Sequence, residues 1–267
     1  MKDGVISNQE KRSLRPLVRQ CVRALSLPLV LILSLEWWAR TVGKNSDAIA
    51  APSAAAQAFS KALWDGSLLS ATGFTLGSAA SGLLLGGLFG IALGVILGLS
   101  RRASSLGFLS IEMLRPVPSV ALIPLSMLIF GFGFRMEIAV VAFACLWPIL
   151  ILTQSAVRQL EPGLLEVARA LQLSFAQRFF KIVLPGVVPR LFVALRLAVA
   201  IALVVAVTVE IAANPNGMGY ALMIAQQSLE PALMLAWLFW IAVVGFAINA
   251  LFLWLQTLVA RRMGELI

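Results

Sequence analysis

The chain has 267 residues, 60% of them hydrophobic and 12% charged, with a mean hydropathy of +0.95. Soluble domains carry about 45–50% apolar and about 25% charged residues, so this composition excludes an ordinary soluble enzyme or binding module and indicates a membrane protein. The formal net charge is +9 and there is no His, which removes the commonest general base and metal ligand.

In chain order, the first 20 residues form a basic segment, and Lys2, Lys11, Arg12, Arg15, Arg19 and Arg23 precede or open the first apolar run. A cleaved signal peptide is not expected. The small-residue triplet Ala48–Ala50 lies far beyond that run, and Glu36, Trp37 and Trp38 intervene as an interfacial anchor. A spanning helix needs about 20 mostly apolar residues. Six segments qualify, at 21–40, 69–99, 108–131, 137–157, 187–212 and 233–259. The second is longer than a simple span, which implies tilt or an interfacial extension. Cys21 and Cys145 both lie in apolar runs, so neither a disulfide framework nor a metal cluster is expected.

Placing the N-terminus in the cytoplasm puts all but Arg40, Lys44, Lys61 and Arg135 of the 21 Lys and Arg on the cytoplasmic side. The positive-inside rule therefore predicts six spans with both termini cytoplasmic. Residues 41–67 become an external connection, with "PSAAAQAFSKALWDG" read as a short amphipathic helix. "GFGFRME" is a tight outer turn, and "NPNGMG" (Asn214 to Gly219) breaks the fifth helix at the outer face.

The segment 158–186 is polar, cytoplasmic and still helical in its spacing. Pro162 suits a first helical position. Leu164, Leu165, Ala168 and Leu171 make one apolar face. Ser174 followed by Gln177 is a capping box that starts a second helix, whose apolar side is Phe175, Phe179 and Ile182, and Pro185 marks its exit. Two readings follow: an element lying on the bilayer, or an amphipathic helix docked in the groove of a soluble partner.

"EVARALQLSFAQRFFKIVLP" resembles the EAA motif of binding-protein-dependent ABC importer permeases, matching at Glu166, Ala168, Leu184 and Pro185. "LRPVPSVALIPLSMLIFGFG", "LPGVVPRLFVALRLAVA" and "EIAANPNGMGYAL" are similar to the branch that imports nitrate, taurine and alkanesulfonates, the likeness covering 67–257. The resemblance implies an all-α, type I importer permease fold. Residues 21–66 then hold the first span and external connection, 67–257 the transporter domain, and 258–267 a cytoplasmic tail. It also implies that the loop is gripped by a separate ATP-hydrolysing subunit, with Glu166, Ala168, Gln172, Ser174, Phe175, Leu184 and Pro185 as coupling residues. Two such ATP-binding subunits, a second permease copy as a homodimer, and an external substrate-binding protein are the implied partners. One departure is Gln172, which stands where the motif has Gly; a differently shaped turn or a strain of roughly 1–2 kcal/mol follows.

Other residues carry two readings each. Gly82, Gly86, Gly90, Gly94 and Gly98 recur every fourth residue, as a packing stripe within the subunit or as a dimer seam. Pro116, Pro118 and Pro124 free carbonyls in the third span, which marks a pathway lining or a kink. Arg115 and Arg196 either attract an anionic substrate or snorkel to headgroups. Glu210 orders an outer gate or is an exposed helix-end carboxylate, Asn214 lies beside it in the turn, and Asn249 is read as interhelical glue.

No G-x-x-x-x-G-K-[ST] phosphate loop occurs, so ATP and Mg are expected on the partner subunit, with no cofactor or metal in this chain. The expected function is a non-enzymatic permease for a small anionic solute, in the bacterial inner membrane. The alternative is a secondary transporter or channel independent of an ATPase, which would place ionisable groups at mid-membrane depth. The identity of the solute is not legible.

Overall fold

The structure is a computed structural model, and it describes residues 26–27, 29–42, 49–160, 163, 166 and 170–262. All regular elements among these are helical. The chain divides into two compact units: 1–62 with 225–236, and 63–224 with 237–267.

In the first unit, helix α1 covers 29–41 and α2 covers Pro52–Trp64. Glu36 joins them. Its carboxylate pairs with Arg40 at 2.5 Å and accepts from the Ser53 backbone N–H at 2.9 Å and from Ser53 Oγ at 2.7 Å. A carboxylate on the first N–H groups of a helix satisfies donors that have no intrahelical partner and complements the dipole. The amphipathic helix predicted in the external connection is therefore present.

The second unit is a bundle built on α3 (Ser67–Leu99), α6 (Phe134–Arg158) and α8 (Leu184–Ala212). Asp65 accepts from the Ser67 N–H at 2.9 Å and Gly66 sits at φ 79°, which turns the chain into α3. The glycine stripe then fixes the packing. A Cβ placed on Gly82 would lie 2.6 Å from Val141, and one on Gly98 would lie 2.6 Å from Val157, both in α6. Gly86, Gly90 and Gly94 face Ala142, Leu146 and Thr153 of the same helix. All five glycines thus line a seam inside the subunit, and the dimer-seam reading is overturned. In lipid, helices associate by close van der Waals approach rather than by a hydrophobic drive, which is why small residues occupy this seam. Val140, Val141, Cys145 and Ile149 of α6 meet Ala198, Ala202 and Val209 of α8 to complete the core.

Among the described residues four helices are long and apolar enough to cross a membrane: Ser67–Leu99, Phe134–Arg158, Phe179–Ala212 and Pro231–Leu258. They correspond to the predicted second, fourth, fifth and sixth spans. The first predicted span overlaps α1, whose described part is too short to cross alone; residues 21–25 and 28 lie outside the described residues. The third, 108–131, is not one helix. Helix α4 (Arg101–Leu114) and the following pair, a 3-10 turn Ser119–Leu122 and α5 (Ile123–Phe130), meet at an 85° bend. Pro116 and Pro118 sit at the bend and neither can donate to a helix; Arg115 keeps an α conformation, and the chain turns extended at Pro118, where ψ is 121°. None of α4 is buried within the chain, and the α4–α5 pair has the form of a broken span or a re-entrant segment.

Helix α9 (Met218–Gln227) follows the "NPNGMG" turn, and α10 (Pro231–Arg262) closes the chain. Only 6% of the apolar stretch of α10 is buried within the chain, which leaves its faces to lipid or a partner.

Candidate functional site

The polar loop enters from α6. Glu166 and Ala170 are helical and Glu166 is exposed; Ala168, with Pro162, Leu164 and Leu165, lies outside the described residues. Gln172 has φ 48°, so the left-handed turn that Gly would favour is retained and Gln bears the strain. Ser174 then caps α7 (Phe175–Arg178) in both directions. Its N–H donates to Gln177 Oε1 at 3.0 Å, and the Gln177 N–H donates to Ser174 Oγ at 3.3 Å. The capping box read from the sequence is therefore formed.

The second loop helix does not stop at Pro185. A π turn at Phe179–Val183 runs into α8, which starts at Leu184 with Pro185 in its first turn. The Leu184 N–H reaches Phe179 O, five residues back, so the extra residue absorbs the register change that Pro185, lacking a donor, would otherwise leave open. The apolar side also differs from expectation. Phe179 and Val183 pack inward against Val95, Ala156 and Val157, whereas Phe180 is 63% exposed and Leu171 is 65% exposed. The loop is thus pinned to the bundle by one face and presents another.

At the opposite end of the bundle lies a buried polar node. Glu137 of α6 and Glu210 of α8 are both fully buried, as are Thr75 and Ser78 of α3 and Asn214 of the following turn. Ser78 Oγ is shared between the Thr75 carbonyl, at 2.9 Å, and Glu137 Oε1; Asn214 Nδ2 donates to Glu137 Oε2. The Gly219 N–H donates to Glu210 Oε2 at 2.8 Å, and the Met218 N–H donates to Thr75 Oγ1 at 2.9 Å. Gly217, at φ 93°, lies so close to the Glu210 carboxyl that a Cβ would overlap it. Two carboxyls therefore hold the "NPNGMG" turn onto three helices. The exposed-carboxylate reading of Glu210 is overturned. Glu137 was missed by sequence reasoning: it opens a predicted span beside Arg135, and the rule that charges inside spans are costly would have flagged it.

Between the proline break with its 3-10 turn, α6 and α8 is a cavity of about 470 Å³ lined by Arg115, Ser119, Phe143, Trp147, Ile201 and Val205. Arg115 stands at the proline break, with Pro116 and Pro118 exposed beside it. Trp147 Nε1 is buried without an acceptor among the described residues, so a donor faces this region beside a guanidinium and apolar walls. Arg196 is elsewhere: its Nε donates to Asn249 Oδ1 at 3.3 Å, joining α8 to α10. The interhelical role expected for Asn249 is thereby met, and the structure does not bring Arg196 to Arg115.

A bundle of long apolar helices, with a self-capped polar loop at one end and a buried polar latch at the other, defines a membrane-embedded transport subunit. The chain belongs to the family described as the binding-protein-dependent transport system inner membrane component, which matches residues 86–265. It is 30% identical over 224 residues to SsuC of Bacillus subtilis (strain 168), described as an aliphatic sulfonates transport permease, covering 84% of this chain and 81% of that one. It is 31% identical over 190 residues to the nitrate import permease NrtB of Synechococcus elongatus, covering 70% and 68%. In fold it is similar to a chain of the inward-facing MetNI methionine ABC transporter, with a TM-score of 0.59 at 19% identity, covering 71% of this chain and 92% of that one. It is the permease component of an ABC importer, resident in the inner membrane.

Proposed function

We propose that this permease forms the translocation path for a small organic or inorganic anion, driven by a separate ATPase that grips residues 158–186. It works as a homodimer with two ATP-binding subunits, which carry the ATP and Mg, and it receives solute from an external binding protein. In this reading the bent α4–α5 pair counts as one span and the run at 21–40 as another, and the excess of Lys and Arg supports a cytoplasmic side for both termini and the loop. The relatives described as sulfonate and nitrate permeases support an anionic cargo.

The observation that carries the coupling role is the loop itself. Leu171 and Phe180 are exposed beside a formed capping box, while Phe179 and Val183 tie the same segment into the bundle. A segment built this way transmits force: one face takes the partner and the other passes the displacement to α3, α6 and α8. ATP closure of the motor pair draws the two loops together, the spans open outward and the solute enters; hydrolysis resets the bundle inward. Arg115 and the cavity beside it line the path, where the guanidinium attracts the anion and the aromatic walls exclude water. The node of Glu137, Glu210 and Asn214 holds the outer closure.

Disulfide trapping from a Cys at position 166 tests the grip. With Cys21 replaced by Ser and Cys145 buried, the background is low. Capture of the ATPase subunit that changes with bound nucleotide is expected, and failure to capture it at any nucleotide state would remove the coupling role.

A further inference from the structure

A second cavity lies at the end of the bundle that carries the polar loop. It has a volume of about 700 Å³ and is lined by Arg101 at the start of α4, Arg158 at the end of α6 and Arg178 of α7, together with Ser104, Ser105 and Phe108. Among the described residues no Asp or Glu lines it and none of the three arginines is in an ion pair; the ion pair there is Arg40 with Glu36.

The dipole at the end of α6 accounts for Arg158 alone. It does not account for Arg101, which sits at the positive end of α4, or for Arg178. Ser104 Oγ accepts from Arg158 Nη2 and from Gln154 Nε2, the latter at 3.2 Å, so its own proton is left to donate outward. Arg178 Nε is buried with no acceptor among the described residues. Three guanidinium groups around one space repel one another, and a buried donor left unmade is costly; an oxyanion relieves both. Leu97, Leu99, Val157 and Phe108 supply an apolar wall next to that charge.

We propose that this cavity binds a phosphate group, presented either by an anionic phospholipid headgroup with its chain along the apolar wall or by free phosphate. Basic pockets between helices on the cytoplasmic side suit such headgroups. Because Arg178 belongs to the polar loop while Arg101 and Arg158 belong to the bundle, the bound phosphate staples the loop to the ends of α4 and α6. The site stands on the cavity geometry; only the lipid source rests on the orientation proposed above.

The test uses the full purified chain in two arms. In the first, native mass spectrometry follows retention of phosphatidylglycerol against an equal amount of phosphatidylcholine. In the second, the lipid-depleted chain is heated with inorganic phosphate or with chloride at matched ionic strength. At roughly a fivefold step per arginine, R158Q/R178Q weakens retention roughly thirtyfold and R101Q alone roughly fivefold, while R158K/R178K keeps most of it. Selective phosphatidylglycerol retention lost in the Gln variants identifies the lipid source. A phosphate-specific thermal shift lost in the same variants, without lipid selectivity, identifies free phosphate. Equal retention in all variants together with no phosphate-specific shift overturns the site. Loss of lipid selectivity with the phosphate-specific shift kept removes the lipid source and spares the site, so the two failures read differently.

Discussion

Gly86 and Gly87 are adjacent in α3, and the seam predicts opposite outcomes for the same substitution at each. A Cβ on Gly86 would run into the backbone carbonyl of Ala142, which cannot yield without moving α6. A Cβ on Gly87 would meet only Ile149 Cδ1 at 3.6 Å, an ordinary contact. Gly86→Ala therefore forces the two helices apart and costs about 1–3 kcal/mol as overpacking, partly offset by the roughly 0.8–1.0 kcal/mol gain in helix propensity. Gly87→Ala keeps that gain with no clash. With each kcal/mol moving the midpoint by about 2–4 °C in a chain of this size, Gly86→Ala is expected to melt several degrees lower and Gly87→Ala no lower than the parent. Thermal unfolding of detergent-purified protein, read alongside its oligomeric state, checks this. Equal behaviour of the two variants, or loss of dimer at unchanged subunit stability in Gly86→Ala, would refute the internal seam.

Three further outcomes follow from the same geometry. Glu210→Gln keeps an acceptor for the Gly219 N–H and so assembles, but lowers uptake in vesicles; Glu210→Ala leaves that donor unmade and also costs about 1–3 kcal/mol in stability. Unchanged uptake by Glu210→Gln would remove the gating role of the node. Arg115→Gln raises the solute concentration needed for half-maximal binding-protein-stimulated uptake of an anion, while ATPase stimulation at saturation stays near that of the parent; an unaltered concentration dependence would take Arg115 off the path. Gln172→Gly releases about 1–2 kcal/mol of left-handed strain against roughly 0.5–1 kcal/mol of added chain freedom, so stability holds or rises slightly, and a marked drop in the melting midpoint would contradict the strained turn.

Much of this molecule was legible one segment at a time. Ser174 and Gln177 announce their capping box because both partners lie within one turn, and Gln172 in a motif position that favours Gly anticipates its positive φ. The glycine stripe was visible as a packing surface, but its partner helix was not, because a period of four residues names a face and not its neighbour. The prolines at 116 and 118 announce a pathway lining or a kink, but not the 85° bend, since local hydropathy does not distinguish two helices meeting at a sharp angle from a continuous one. Glu137 stayed hidden for a related reason: its partners, Ser78 and Asn214, come from distant parts of the chain. The three-arginine cavity arises likewise from α4, α6 and α7 meeting in space.

The central claim is that the bundle moves solute only when a motor acts on the 158–186 loop. Uptake of a labelled anion into proteoliposomes containing this chain and the external binding protein, with and without the ATPase subunit, tests it most directly. ATP-dependent accumulation only when the ATPase subunit is present is the predicted result. Transport up or down a gradient by the chain without that subunit would contradict it.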